Sequence, residues 1–269
     1  MSLDPRVSNP EKRWVGRSFG AAAGSYDGVA VLQKEVGERL MHRLAARFHA
    51  PEVIVDVGAG TGYFATGLLE RYPGSHLVAL DIAEGMLLAA RSRIGRSPNR
   101  CCVGGDAEAL PLADRSVDLV FSNLAIQWCP GLAGVFGEFR RVLKPQGVAL
   151  FSTFGAGTLV ELRRAWAAVD DRSHVNDFAD LAGIAGALSE AGFANADIDG
   201  ETRCLEYGDV HALMREIKDL GAHNVTYGRP RHLTGKARLR RMIDAYAAQM
   251  AGGGVRASFE VVYGVARKE

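Results

Sequence analysis

Apolar residues recur every fourth position from Tyr26 onward, at Leu32, Val36, Leu40, Leu44 and Phe48, which predicts an amphipathic helix stopped by Pro51. The period then changes. A short apolar run, VIVDVG (53–58), ends in glycine and predicts a buried strand. Further strands are predicted at HLVALD (76–81), CCVGGD (101–106), VDLVFSN (117–123) and GVALFSTF (147–154). Helical stretches separate them. The clearest carries Leu132, Val135, Phe136, Phe139, Val142 and Leu143 on one face before Lys144, Pro145 and Gly147 end it. This alternation predicts an α/β fold, a mostly parallel sheet with helices on both faces, right-handed crossovers and ligand beyond the carboxyl ends of the strands.

The last third changes character. ALSEAGF (187–193) reads as a helix running into a turn and ADIDGETRCLEY (196–207) as a strand. VRASFEVVYGVARK (255–268) alternates apolar and polar at Phe259, Val261, Tyr263 and Val265, as an antiparallel strand does. Two helices are predicted between them, one with Val210, Leu213, Met214, Ile217 and Leu220, the other with Leu239, Met242, Ile243 and Tyr246 after a Thr234 cap candidate. We expect one domain over residues 1–269. It comprises a helical cap (1–50), a ligand-binding core (51–155), substrate-side helices (156–195) and a helical lid (208–252) inserted before the last strand.

Composition narrows the class. With 269 residues, 48% hydrophobic and 23% charged, the chain can bury a substantial core. Lys and Arg number 32 against 31 Asp and Glu, which excludes a histone-like or strongly acidic protein and argues against disorder. Gly stands at 32 but Pro at only 9, the balance of tight strand-to-helix turns rather than linkers. Cys101, Cys102, Cys129 and Cys204 show neither a disulfide framework nor metal-ligand spacing. No apolar run nears the roughly 18 residues of a membrane span, and the polar start lacks a signal-peptide apolar region. A soluble, cytoplasmic protein with no membrane partner is expected.

Chemistry concentrates in Asp56-Val57-Gly58-Ala59-Gly60-Thr61-Gly62, which follows a strand and opens a helix. Gly58, Gly60 and Gly62 let backbone N–H groups approach a ligand. The third glycine comes one residue too soon for a dinucleotide fingerprint, and there is no triphosphate-binding GxxxxGK[ST]. Asp81 ends the second strand, placed to accept from ribose hydroxyls, and Asp106 follows the third. Carboxylates at three strand ends suit a nucleoside with a cationic end and no phosphate. S-adenosyl-L-methionine meets that description; NAD, with two phosphates, does not.

VIVDVGAGTGYFATGLL, LVALDIAEGML, GDAEALPLADRSVDLVFSNLAIQW and FRRVLKPQGVALFSTF together resemble the class I methyltransferases over roughly residues 50–155. The resemblance implies a Rossmann-like seven-stranded sheet with its last strand reversed. It implies that Asp56 and the Gly58–Gly62 backbone hold the methionine end and Asp81 the ribose. Ile82 would flank the adenine, Asp106 and Ala107 meet its edge, and Asn123 with Leu124 line the site near the sulfonium. Ile82 and Leu124 read equally well as plain core packing.

Outside the core, RSFGAAAGSYDGVAVLQKEVGERL (17–40), SNLAIQW (122–128), FSTFGAGTLVEL (151–162) and IKDLGAHNVTYGRPRHLTGKARL (217–239) resemble the BioC family of malonyl-[acyl-carrier protein] O-methyltransferases in biotin synthesis. The resemblance implies methylation of the free carboxylate of a malonyl thioester. The residues are compatible with it. A carboxyl with reference pKa near 4 is already anionic and needs neither base nor metal, whereas a phenol near 10 would need one. The seven histidines are scattered, without HExxH or paired-ligand spacing, so no metal is expected. The family likeness places Tyr26 over the reaction centre, where it either hydrogen-bonds the acceptor carboxylate or packs in the cap. Trp128 would wall the acceptor channel or simply pack, and Gln33 would help close the cofactor roof. His174 and Phe178 resemble the family's HVxxF and belong loosely to the substrate side, with Lys218 and Arg229.

From His211 to Arg241 the chain carries eight basic and two acidic residues. Arg231, Lys236, Arg238, Arg240 and Arg241 form a patch suited to steering an acidic carrier protein, or a solvated helix face. Nucleic acid fits poorly with the neutral overall charge. Two other readings remain: methylation of a small free acid, and a cofactor-binding assembly factor for respiratory complexes.

Overall fold

The computed structural model describes residues 11–45, 50–222, 235–250 and 254–269. Strands β1 (Val53–Val57), β2 (His76–Asp81), β3 (Arg100–Gly104), β4 (Val117–Asn123), β5 (Leu143–Phe154), β6 (Ala196–Tyr207) and β7 (Val255–Arg267) form a sheet ordered β3-β2-β1-β4-β5-β7-β6. The first five pair in parallel, while β7 runs antiparallel to both β5 and β6. The expected seven-stranded α/β sheet with a reversed last strand is therefore present. Strand order reverses between β1 and β4, which opens a crevice at their carboxyl ends.

Helices α4 (Tyr63–Arg71), α5 (Glu84–Ile94), α6 (Leu132–Val142), α7 (Val160–Ala167) and α8 (Leu181–Glu190) cover the sheet, and α9 (Val210–Asp219) and α10 (Lys236–Ala247) lie in the expected insertion. Two apolar layers result. One centres on Phe136, Phe139 and Phe151, the other on Leu40, Leu68, Phe121 and Tyr263, all almost wholly buried. α6 begins at Leu132 as its apolar face predicts but ends at Val142, and Leu143, expected on the helix, opens β5 at once. Lys144, Pro145 and Gln146 sit in a register shift opposite β4, where Gln146 takes φ +66°. The irregularity lets the strand start before the glycine that seemed to open it. β3 is correspondingly short, so Asp106 lies two residues beyond it.

The cap differs most from the periodicity. Instead of one helix from Tyr26, three form: α1 (Lys12–Ala22), α2 (Tyr26–Val29) and α3 (Val31–Ala45). Leu32, Val36, Leu40 and Leu44 line the buried face of α3 as expected. The break at Ala30 turns α2 over the glycine loop. Phe48, Arg229, Arg231 and the Thr234 cap candidate lie outside the described residues. No helix among the described residues is long and apolar enough to cross a membrane.

Close packing seats the cap on the core. A β-carbon added to Gly37 would fall 2.0 Å from the Phe64 ring. Gly37→Ala is therefore expected to destabilise the protein by about 1–3 kcal/mol, the usual cost of overpacking, measured by urea denaturation.

Candidate active site

β1 and β2 end side by side, and their tips carry Asp56 and Asp81. The glycine loop folds back over β2: the Gly58 and Ala59 amides donate to the Leu80 carbonyl at 2.8 and 3.0 Å. Asp81 fixes its outer part, accepting from the Gly60 amide at 2.9 Å and from the Ala83 amide at 2.8 Å. One acceptor position on each oxygen remains in principle for ligand hydroxyls. Gly58, Gly60 and Gly62 all take positive φ, but they do different jobs. A β-carbon at Gly60 meets nothing, one at Gly58 would lie 2.2 Å from the Ala125 β-carbon, and one at Gly62 would crowd Ala90 of α5 at 3.0–3.1 Å. Gly60 thus leaves open space, while Gly62 permits helix packing.

Above this loop lies a cleft of about 740 Å³, within the roughly 300–1,000 Å³ typical of small-molecule sites. Tyr26, Gly58, Gly60, Asp81, Ile82, Asp106, Ala107, Asn123, Leu124 and Trp128 from the sequence reading all line it. A contiguous cavity beside it adds Asp56, Gln33, Asp27 and Lys34. Ile82 is 42% exposed, so core packing does not account for it. Leu124 is buried and takes φ +47°, unfavourable for a branched side chain. Its amide donates to the Ser152 carbonyl and hydroxyl, while Ser152 Oγ donates to Asn123 Oδ1 at 2.8 Å. Asn123 Nδ2 donates to the Gln33 carbonyl at 2.9 Å. The strained turn thus orients Asn123 between core and cap.

Asp106 does not stand as a free strand-end carboxylate. Lys12 of α1 forms ion pairs with both Asp106 and Glu108, closing one end of the cleft. Lys12, Phe19, Met86 and Cys129 also line it and went unrecognised in the sequence. Lys12 and Phe19 lie in a stretch without a chemical motif, and only α1's fold-back brings them here. Phe19 packs edge-on against both Tyr26 and Trp128, at centroid distances of 6.5 and 5.2 Å.

A clamp holds α2 down. Thr61 Oγ1 donates to Asp27 Oδ1 at 2.7 Å and accepts from Arg93 Nη1 at 2.9 Å, and Arg93 also pairs with Asp27. Burial opposes ionisation of Asp27, but Arg93 and Thr61 hold its carboxyl below the usual range. Burial, aided by the negative charge of Asp81 and then Asp27, raises the Tyr26 hydroxyl well above its ordinary value, so it stays protonated as a donor. Asp56 is nearly sealed, and its Oδ2 has no partner. Burial first, then repulsion from Asp81, pushes its carboxyl up to about 8. A buried acceptor without a donor fits a ligand with a cationic amine, and the two carboxylates with the bare Gly60 backbone fit S-adenosyl-L-methionine.

A second cavity, about 640 Å³, adjoins the first. Trp128 borders this cavity and the first cleft, Gln33 borders it and the small cavity beside that cleft, and His174 and Phe178 border only this one. Lys218 is exposed and lines neither; α9 turns Glu216 and Ile217 inward and Leu220 follows at its end, with Glu216 accepting from Tyr207 at 2.9 Å. Lys236, Arg238, Arg240 and Arg241 are exposed on α10, where Arg240 faces Asp244 at 3.3 Å and Arg238 lies 3.9 Å from Asp170. Among the described residues no cluster of three His, Cys, Asp or Glu side chains is placed to hold a metal.

A family profile described as a methyltransferase domain matches residues 55–151. A malonyl-[acyl-carrier protein] O-methyltransferase from Methylococcus capsulatus is 48% identical, covering 99% of this chain and 97% of its own. The biotin biosynthesis bifunctional protein BioHC of Cellvibrio japonicus is 43% identical over 94% of this chain and 49% of its own. Among solved structures, a methyltransferase-like protein from Bacillus halodurans superposes with a TM-score of 0.63 at 21% identity, covering 86% of this chain and 97% of that one.

The raised Asp56 carboxyl has a signed consequence. Its folded-state value, about 8, exceeds the unfolded value of about 4, so the folded chain holds an extra proton between them. Stability is fully present below that window and falls as pH rises through it. The melting temperature of the ligand-free protein is expected to drop between about pH 5 and 8, and Asp56→Asn should flatten that slope in scanning calorimetry.

Proposed function

The chain belongs to the malonyl-[acyl-carrier protein] O-methyltransferase family, and from that premise we propose that it methylates the free carboxylate of a malonyl group carried as a thioester on acyl-carrier protein. S-adenosyl-L-methionine is the methyl donor. The observation that supports the acceptor reading is the adjacency of two cavities: a carboxylate-tipped nucleoside cleft opens, past Trp128 and Gln33, onto a mainly apolar chamber.

When bound, adenosylmethionine supplies an electrophilic methyl carbon on a sulfonium. Asp56 and Asp81 would hold its amine and ribose, while Ile82 and Ala107 border the space for its base. The acceptor, with a pKa of about 4, arrives ionised. Its oxygen forms the new bond to carbon as the carbon–sulfur bond breaks, leaving a thioether and a methyl ester; no proton moves. The anion and the cation neutralise each other, so a dry site does not oppose the reaction. The protein's task is alignment, worth up to roughly 7–11 kcal/mol. Tyr26 donates to one carboxylate oxygen and leaves the other to attack. Phe19 and Trp128 exclude water.

Lys236, Arg238, Arg240 and Arg241 supply a positive face for the acidic carrier, and the charge of Arg231, outside the described residues, adds to the basic balance of this stretch. Arg229 and Lys218 are proposed on the acceptor side; exposed Lys218 acts at the mouth rather than inside. Carrier protein, not nucleic acid or a membrane, is the partner in this reading. Esterification masks the acyl charge so that chain-elongating enzymes accept it, which accords with a cytoplasmic biosynthetic role.

Incubating purified protein with adenosylmethionine and malonyl-carrier protein should add one methyl to the malonyl group by intact mass; methylation of a free acid instead would overturn the assignment. Tyr26→Phe is expected to lower kcat about 10- to 100-fold, the worth of a hydrogen bond to a charged group, with cofactor Kd by calorimetry unchanged. Equal losses in both would indicate packing. Reversing Arg240 and Arg241 to Glu should raise KM for the carrier substrate, and added salt should shrink the difference.

A further inference from the structure

The acceptor cavity is walled mainly by apolar groups such as Phe154, Leu162 and Ile217, yet two carboxamides in its wall are unsatisfied. Gln33 Oε1 and Asn176 Oδ1 are both buried without a hydrogen-bond partner. Asn176 as a whole is only 5% exposed. Unmet polar atoms in a dry wall oppose folding, so a ligand that completes them gains what the empty cavity forgoes. The two lie at different places along the cavity. Gln33 also borders the cofactor side, whereas Asn176 and its neighbour His174 border only the acceptor chamber.

The wall around Asn176 is built rigidly. The His174 ring lies flat on Trp166, with centroids 3.8 Å apart and planes at 6°. His174 Nε2 meets Asp170 Oδ1 at 2.8 Å. Arg163 donates to the Asn176 carbonyl at 3.2 Å and pairs with Asp177 Oδ1 at 2.6 Å, fixing the chain as it leaves Asn176. Such an arrangement holds a polar group at one place on an otherwise greasy wall.

The chemistry of the substrate arm then decides what is read. The malonyl carboxylate must sit by the methyl donor, and the thioester carbonyl is only two carbons behind it. A thioester only accepts hydrogen bonds. The carrier's arm next presents, two methylenes beyond the sulfur, a secondary amide that both donates and accepts, as a carboxamide does. Resting on the malonyl-thioester reading, we infer that Asn176, framed by His174, recognises that first amide of the arm and makes the enzyme select arm-borne malonyl over shorter or purely aliphatic malonyl compounds. Asn176 is thus a specificity residue that touches the arm, and Asp170 with Trp166 positions its neighbour.

Two small substrates isolate this contact: the malonyl thioester of N-acetylcysteamine, which carries the amide, and malonyl pentanethioester, in which methylenes replace it. With the full-length wild-type enzyme, kcat/KM should favour the amide-bearing thioester by about 10- to 100-fold, since a buried polar partner is otherwise left unmet. In Asn176→Leu the ratio should fall to about one, with the aliphatic thioester turned over at least as well as by wild type. Asn176→Ala repeats the test should the leucine variant not fold, and His174→Phe, which keeps the ring on Trp166, should reduce the ratio partially. A wild-type ratio retained in the folded Asn176 variants overturns the inference. Wild-type enzyme that methylates neither thioester but does methylate a free acid overturns instead the reading on which it rests.

Discussion

Two carboxylates that cannot comfortably both be charged set the terms for this protein. Asp56 and Asp81 come from the tips of adjacent parallel strands and are almost withdrawn from water; burial raises both carboxyls, and the charge of Asp81 raises that of Asp56 further. Asp81 is relieved by backbone donors from the glycine loop and from Ala83. Asp56 has no such relief at Oδ2. The left-handed turn at Gly60 brings its amide to Asp81, and Asp56 keeps an unmet acceptor, which fits a cationic ligand. Stability is sacrificed at the place where binding gains most.

The cap converts that binding site into a reaction chamber. Asp27, Thr61 and Arg93 pin α2 to the glycine loop, Lys12 ties α1 to Asp106 and Glu108, and Ser18 Oγ donates to the Gly221 carbonyl at 2.9 Å, joining α1 to the end of α9. These contacts span the cap, the core and the insertion. Tyr26 therefore has its position through three separate parts of the chain, although it belongs to a helix of only four residues. A covered site must open for substrate entry, and side-chain polar pairs of this sort part more readily than the packed faces beneath α3.

Chemistry and selectivity are separated along the same line. The cleft offers carboxylates and bare backbone to a cation, whereas the adjoining chamber offers aromatic and aliphatic walls with isolated amides. A carboxylate nucleophile needs no base, so no residue has to be poised for proton transfer. What remains is to hold two reactants in line and to distinguish the acyl carrier from other acids. Trp128 and Gln33 stand at the boundary of the two spaces.

The sheet and the cofactor side were legible in the sequence because they rest on local rules. Apolar runs of strand length, the glycine loop between strand and helix, and Asp81 at the end of β2 each carry their meaning within a few residues. The alternation in 255–268 likewise announced the reversed strand, since a period of two reflects one backbone geometry. What tertiary structure alone decided was how distant segments close on that frame. The break at Ala30, the fold-back that puts Lys12 on Asp106 and Phe19 between Tyr26 and Trp128, and the unmet carboxamide of Asn176 have no signature in spacing. Each follows from contacts between residues far apart in the chain, and whether a polar atom finds a partner, or a carboxylate a cation, is settled only when those segments meet.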